Sequence, residues 1–259
     1  MKDFLAQGLE YEEQEQYQAA LDEYGKAVAE DPGAPAALLH RGSLLAELGQ
    51  YEAAVNDFTA ALIIDPQEAT AYNNRGDVFA SMGRHEAAIA DFTQALSLNP
   101  EDIDSFYNRG LSFAQMGKME AALADLDAAL LLDPFHGGAY NNRGLVLVEM
   151  GDYVGAEASF SKAIEVRTGF ACSYDHRGLV YEKLGDRTRA IQDYTEALMI
   201  APHSVDSLFH RASAYMAENE FPKAIEDFRL LIKVAGATHP FFKLARQRLQ
   251  ELGQPDQDL

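Results

Sequence analysis

The sequence predicts an all-α solenoid of antiparallel helix pairs. Three observations support this fold class: a strict 34-residue period, apolar residues at helical spacing within each period, and small residues where paired helices would touch. Such a period is typical of helical repeats, in which each unit buries its apolar face against its neighbours. The first glycine of the period stands at Gly8, Gly42, Gly76, Gly110, Gly144 and Gly178, and Ala212 continues the series.

Each period predicts two helices. In the third one, Tyr72, Gly76 and Phe79 follow the spacing of one helix face. A second glycine then ends the first helix, because glycine adopts left-handed backbone geometry at little cost. The apolar stripe restarts at Ala88 and stops before Pro100. The second glycine occurs at Gly49, Gly83, Gly117, Gly151 and Gly185, with Asn219 in the last period.

The period divides the chain into seven windows and a short C-terminal segment. Residues 239–252 carry apolar side chains on one side, and we expect them to form a helix that caps the last window. Residues 253–259 should form a flexible tail. The seven windows span residues 1–34, 35–68, 69–102, 103–136, 137–170, 171–204 and 205–238.

The aromatic, glycine and alanine positions of these windows resemble the tetratricopeptide repeat over residues 1 to about 238. The windows depart from that family at the first signature position, which has no tryptophan, and at Thr168, which replaces a closing proline. The resemblance implies a right-handed superhelix whose first helices line a concave groove, and a protein that binds other proteins. In the fifth window, the family's places are held by Tyr140, Gly144, Gly151, Ala156, Phe160 and Ala163.

The chain is strongly acidic. It carries 21 Lys and Arg against 41 Asp and Glu, a net charge of −20, and residues 1–130 alone account for −16. This charge opposes binding to nucleic acid and to anionic lipid. We expect no membrane insertion, because no apolar run is long enough to span a bilayer. We expect a cytoplasmic protein, because the start does not resemble a signal peptide and the single Cys172 fits a reducing compartment.

An arginine column precedes the first glycine, and an aspartate column follows sixteen residues after the arginines. The arginines could bind phosphate or carboxylate, but helical geometry directs them towards the glycine and aromatic side. We therefore predict Arg–Asp pairs that join two helices or two adjacent windows. Arg143 meets Ser159 instead, so the fifth window should have the weakest pair. The columns are Arg41, Arg75, Arg109, Arg143, Arg177 and Arg211, and Asp57, Asp91, Asp125, Asp193 and Asp227.

The resemblance implies that the opposite face of each first helix, away from the glycine and aromatic side, binds a partner. Asn74, Asn108 and Asn142 recur at 34-residue steps and could form a ladder that pairs with the N–H and C=O groups of an extended peptide. The alternative is that these asparagines only cap or solvate a helix turn. Acidic side chains such as Glu47 and Asp77 favour a basic peptide. The candidate site residues are Asn73, Asn74, Asp77, Tyr107, Asn108, Leu111, Asn141, Asn142, Leu145, Asp175, His176, Phe209 and His210.

The sequence offers little for catalysis. Cys172 and His176 lie four residues apart on one helix face, which a metal ion or a Cys–His nucleophile could use, but no further close ligand or oxyanion hole is indicated. No phosphate-binding or dinucleotide glycine motif occurs. Co-chaperone repeats of this family bind a C-terminal carboxylate through a lysine at the fifth position of the window. No window of this chain has a lysine at that position. We therefore expect no enzyme, no catalytic residue, no metal and no cofactor.

These observations predict an interaction scaffold that holds an extended, basic peptide in its groove. An alternative stays open in which the chain self-associates, so that one copy docks into the groove or end face of another. A catalytic or metal-dependent role around Cys172 and His176 is a third hypothesis from a different class.

Overall fold

The computed structural model describes residues 3–166 and 171–254, and these residues form fifteen α-helices without any strand. The predicted all-α fold of tandem helix pairs is confirmed. The chain divides into two compact units, unit 1 (Met1–Asp133) and unit 2 (Pro134–Leu259). Thr168 and the last five residues of the predicted tail lie outside the described residues.

Unit 1 consists of four consecutive helix pairs. A turn of three residues joins the helices within each pair, and four residues join one pair to the next. Its helices are α1 (Phe4–Glu13), α2 (Tyr17–Glu30), α3 (Pro35–Glu47), α4 (Tyr51–Ile64), α5 (Ala69–Ser81), α6 (His85–Leu98), α7 (Ile103–Gln115) and α8 (Met119–Leu132).

Unit 2 contains three further helix pairs and a single last helix, which packs on both helices of the final pair. The last helix buries Ala245 and Leu249. The N–H of Gln254, in the predicted tail, donates to the carbonyl of Leu249 at 2.8 Å. The helices are α9 (Gly137–Glu149), α10 (Tyr153–Val166), α11 (Ala171–Lys183), α12 (Arg187–Ile200), α13 (Val205–Ala217), α14 (Phe221–Val234) and α15 (Pro240–Glu251).

Small residues of the first helices meet aromatic rings of the second helices. A Cβ atom added to Gly42 would lie 2.9 Å from Cε1 of Phe58, and one added to Gly144 would lie 2.6 Å from Cε1 of Phe160. Both rings are completely buried. Since interiors are close-packed, the ring fills the space that the missing side chain leaves, and the two helices of a pair approach closely.

The turn within each pair requires a residue with left-handed backbone geometry. Gly49 has a φ of 73° at this position, and the equivalent residues of the first and last pairs are Glu15, with a φ of 58°, and Asn219, with a φ of 62°. Residues with a Cβ atom pay a steric cost in this region, and asparagine pays less than glutamate. The first pair therefore carries local backbone strain at Glu15.

We expect Glu15→Gly to raise the free energy of unfolding of unit 1 by about 0.5–1 kcal/mol. Glycine removes the strain, but it also increases the conformational entropy of the unfolded chain, which offsets part of the stabilisation. Asn219→Gly should produce a smaller gain. Urea denaturation measures both. Gln14→Gly is the control. Gln14 has a φ of −86° and is not strained, so glycine at this position should only lower the free energy of unfolding. An unchanged or lower stability of Glu15→Gly would contradict the strain.

Candidate functional site

Arginines of the first helices hold three helices together. Arg75 Nε and Nη2 donate to the two carboxylate oxygens of Asp91 at 2.7 and 2.8 Å. Its Nη1 also donates to Oγ1 of Thr59, on the preceding second helix, at 3.0 Å. Arg75 on α5 therefore bridges α6 of its own pair and α4 of the pair before. The same bidentate geometry links Arg41–Asp57, Arg75–Asp91, Arg109–Asp125, Arg177–Asp193 and Arg211–Asp227.

These arginines serve the fold and offer no open anion site. The Arg75 side chain is 17% exposed and that of Asp91 is 9% exposed. The hydrogen bond to Asp91 raises the pKa of Arg75 despite burial, so the guanidinium stays ionised. In unit 2, Arg143 donates to Oγ of Ser159 at 2.7 Å, as the sequence predicted. That this window has the weakest pair stays a prediction.

Removing one partner should leave a desolvated charge. We expect Asp91→Ala to lower the free energy of unfolding by about 2–4 kcal/mol, because the guanidinium of Arg75 stays in place without its carboxylate. Asp104→Ala removes an exposed carboxylate at the start of α7 and should change stability by less than about 0.5 kcal/mol. Chemical denaturation of both variants measures the difference, and equal stabilities would rule out a structural role for the pair.

Side chains at the fifth position of the first helices link neighbouring first helices. In unit 1, Asn73 Nδ2 donates to Oγ of Ser105 on α7 at 2.6 Å. In unit 2, Asn141 Oδ1 accepts from Oγ of Ser173 at 3.0 Å and lies 3.1 Å from Nδ1 of His176. Asn141 is only 7% exposed. The structure thus uses these predicted site residues between helices, where they order the face.

A second polar link joins α11 to α13. His210 Nδ1 lies 3.1 Å from a carboxylate oxygen of Asp175, which is 7% exposed. Burial lowers the pKa of His210, but the hydrogen bond and charge of Asp175, with Asp206 and Glu182, outweigh burial and leave this pKa raised. Burial lowers the pKa of His176, and its neighbouring charges do not reverse that. The two histidines therefore titrate on opposite sides of the ordinary value of 6.5.

The geometry around Cys172 and His176 gives little support to the hypothesis of a Cys–His centre. Desolvation raises the pKa of the Cys172 thiol, which is the opposite of what an activated nucleophile needs. His176 is oriented by Asn141. In the parts of the chain that the structure describes, no three His, Cys, Asp or Glu side chains come together to hold a metal ion.

Through these two histidines, we expect the stability of unit 2 to be greatest near pH 6.5. Above pH 6.5 the folded state holds more protons at His210, so the free energy of unfolding should fall as pH rises. Below pH 6.5 the unfolded state binds more protons at His176, so stability should fall as pH decreases. Denaturation between about pH 5 and 9 measures both effects. His210→Gln should remove the loss of stability above pH 6.5, and His176→Gln should remove the loss below pH 6.5. His203→Gln, at an exposed histidine, should remove neither. If both curves match the parent chain, the assignment is wrong.

Phe209 is covered by the last helix. Its ring stacks on Phe241 of α15 with centroids 4.1 Å apart and an angle of 2° between the planes. His210 also contacts Phe241, with ring centroids 5.8 Å apart. This part of the predicted groove is therefore occupied by the chain itself. Leu145 and Leu179 of unit 2 are half-buried on their first helices, as is Asn142.

The first-helix face of unit 1 brings most of its predicted site residues together. Helices α3, α5 and α7 lie side by side. Asn74 Nδ2 donates to Oγ of Ser43 at 3.3 Å, so this asparagine spans two helices and caps neither. Asn108 is half-buried and makes no side-chain hydrogen bond to the residues described. Tyr107 and Leu111 are half-buried beside Asn108 on α7.

Acidic side chains on this face lack cationic partners. Within the described ranges, no Lys, Arg or His forms an ion pair with Glu47, Asp77 or Asp104. Burial and the charge of Asp104 raise the pKa of Asp77. These carboxylates differ from the aspartates of the second helices, which are neutralised by the arginines. The face therefore has a negative charge that a basic ligand could compensate.

Sequence reasoning did not single out Ser43, Tyr51 and Phe58, which border the same face next to Asn74. The sequence period could have revealed Phe58, because the residue at the sixth position of a window follows the aromatic residue of the preceding window by sixteen residues. Tyr24 and His40 show this contact, with stacked rings 5.9 Å apart.

Comparison with known proteins identifies the family. Profiles of the TPR repeat match residues 42–83 and 76–117, and profiles of the tetratricopeptide repeat match residues 107–170 and 171–204. These matches cover more than half of the chain. The chain is a tetratricopeptide repeat protein. No match was found among curated protein sequences.

Solved TPR structures share the fold. A crystal structure of MamA is 25% identical over 62% of this chain and 94% of its own, with a TM-score of 0.60. YrrB, described as a TPR protein with an unusual peptide-binding site, is 25% identical over 71% of this chain and 95% of its own, with a TM-score of 0.61. A tetratricopeptide repeat protein from Parabacteroides merdae is 20% identical over 96% of both chains, with a TM-score of 0.71.

No helix in the described ranges of this TPR protein is long and apolar enough to cross a membrane.

Proposed function

We propose that this TPR protein is a non-enzymatic scaffold that binds an extended, basic peptide on the first-helix face of unit 1. The observation that carries the proposal is the division of its acidic side chains into two sets. Asp57, Asp91 and Asp125 are neutralised by arginines. Glu47 and Asp77 on the first helices have no such partner in the described structure. A basic segment is the ligand class that this second set attracts.

The asparagines of this face supply contacts to a peptide backbone. Asn74 and Asn108 occupy equivalent places on the adjacent helices α5 and α7. Each carboxamide offers a donor and an acceptor, which match the N–H and C=O groups of an extended chain. Such contacts contribute about 0.5–1.5 kcal/mol each, so apolar contacts from Tyr107 and Leu111 would have to add affinity.

The similarity to YrrB supports a peptide ligand for this chain, since that TPR protein is described as having a peptide-binding site. We also propose that the seven 34-residue windows are the structural repeats, because each window contains one helix pair. A cytoplasmic location agrees with a single free, exposed cysteine at position 172.

The test is a selection of random peptides on the 259-residue chain, followed by affinity measurements with the strongest synthetic peptide. We expect enriched peptides to be basic and their affinity to fall with ionic strength. The double variant Asn74→Ala, Asn108→Ala should bind about 5- to 150-fold more weakly, because it loses two sets of backbone hydrogen bonds.

Gln94→Ala is the control, since Gln94 is an exposed amide on the second helix α6. It should bind the peptide like the parent chain. Failure to enrich any peptide would contradict the proposed ligand, and enriched peptides that ignore the asparagine variant would move the site elsewhere. A sedimentation coefficient that rises with concentration would indicate that a second copy of the chain occupies the face.

A further inference from the structure

A cavity of about 330 Å³ opens on the first-helix face of unit 1. Helices α3 and α5 form its sides, and α4 contributes Tyr51 and Phe58. This volume lies at the small end of the range of ligand pockets. The cavity therefore suits one side chain of a partner better than a folded surface.

The apolar part of the lining is rigid. Phe58 is completely buried and Val78 is 2% exposed, and both belong to the core of unit 1. Ala46 and Tyr51 are half-buried, and they are the apolar lining residues that a guest can reach. Because the core behind them is fixed by packing, a guest would meet a preformed wall, and binding would require little ordering of the protein.

The polar part of the lining carries negative charge. Glu47 and Asp77 line the cavity from α3 and α5, and both are exposed, so they lie near its opening. Asn74 and Ser43, which are hydrogen-bonded to each other, also line it. Although Asp77 is exposed at the opening, the surrounding protein desolvates it in part, and this desolvation and the repulsion of Asp104 raise its pKa. A cation in the cavity would oppose both effects.

The carboxylate of Asp77 is not repeated in the three windows that follow. Its position is held there by Leu111, Leu145 and Leu179, which would offer apolar contacts without a carboxylate. The cavity between α3 and α5 therefore differs by charge from those later places. The cavity between α1 and α3 is also acidic, and its lining is Leu9, Glu12, Glu13, Glu15, Tyr17 and Glu47.

We propose that this cavity binds the side chain of a lysine or arginine in the extended peptide. The proposal rests on the proposed peptide-binding function and names the residue that the site selects. The aliphatic stem lies along Ala46 and the ring of Tyr51, as long cationic side chains commonly cover apolar surface. The charged head then makes charge-assisted hydrogen bonds to Asp77 and Glu47.

The experiment uses the whole 259-residue chain and peptides selected from a random library. Enriched peptides should share a lysine or arginine at one fixed position. In the strongest peptide, we replace that residue by norleucine, which keeps the aliphatic stem and removes the charge. The affinity for the parent chain should fall about tenfold or more.

The double variant Glu47→Gln, Asp77→Asn identifies where the charge binds. It should bind the original peptide about tenfold more weakly, and the change to norleucine should then cost less than about threefold, because the two charges act together. Glu52→Gln, Glu86→Gln is the matched control, since it removes two exposed carboxylates of second helices and changes the net charge equally. It should retain the full effect of norleucine.

Each outcome separates the two proposals. If no peptide is enriched, the proposed function fails and the cavity loses its ligand. If peptides bind without a fixed basic residue, or if the norleucine effect persists in Glu47→Gln, Asp77→Asn, peptide binding stands and the assignment of the cavity is wrong. Circular dichroism of each variant checks that the helices are intact.

Discussion

The arginine that is shared by three helices is the interaction on which the rest of the structure depends. Arg75 binds Asp91 of its own pair through two hydrogen bonds and Thr59 of the preceding pair through a third. A planar guanidinium donates hydrogen bonds only within a narrow range of directions. Arg75 therefore sets the distance between the two helices of a pair and the distance between neighbouring pairs. The contact of Gly42 with the ring of Phe58 requires equally close helices. Packing and charge pairing thus specify the same geometry.

The first-helix face follows from that arrangement. With the arginines directed into the helix layers, the opposite side of each first helix carries polar residues together with apolar ones such as Leu111. Some of these residues stabilise the face itself, as Asn73 does through Ser105 and Asp175 through His210. Others, such as Asp77, have their charge directed to solvent. This second set remains able to bind a basic peptide.

The two sets could not be separated from the sequence alone. Asn74 and Asn141 belong to the same helix face, and the period assigns both to the predicted groove. The structure leaves Asn74 half-buried, whereas Asn141 is almost completely buried against Ser173 and His176. The two asparagines hold adjacent positions of their windows, the sixth and the fifth, and only the approach of neighbouring first helices decides which of these positions is covered. The covering of Phe209 by α15 has the same origin.

By itself, the sequence determined the helix pairs, their family, and the pairing of Arg41 with Asp57 at a separation of sixteen residues. These features repeat, and a spacing that recurs every 34 residues reports local geometry directly. Only the tertiary structure decided that four of the arginines also bind the preceding pair, that Asp175 is hydrogen-bonded to His210, and that a cavity opens beside Asp77. Such properties arise between helices, where the distance and the shape of the gap determine which side chain is neutralised and which remains available.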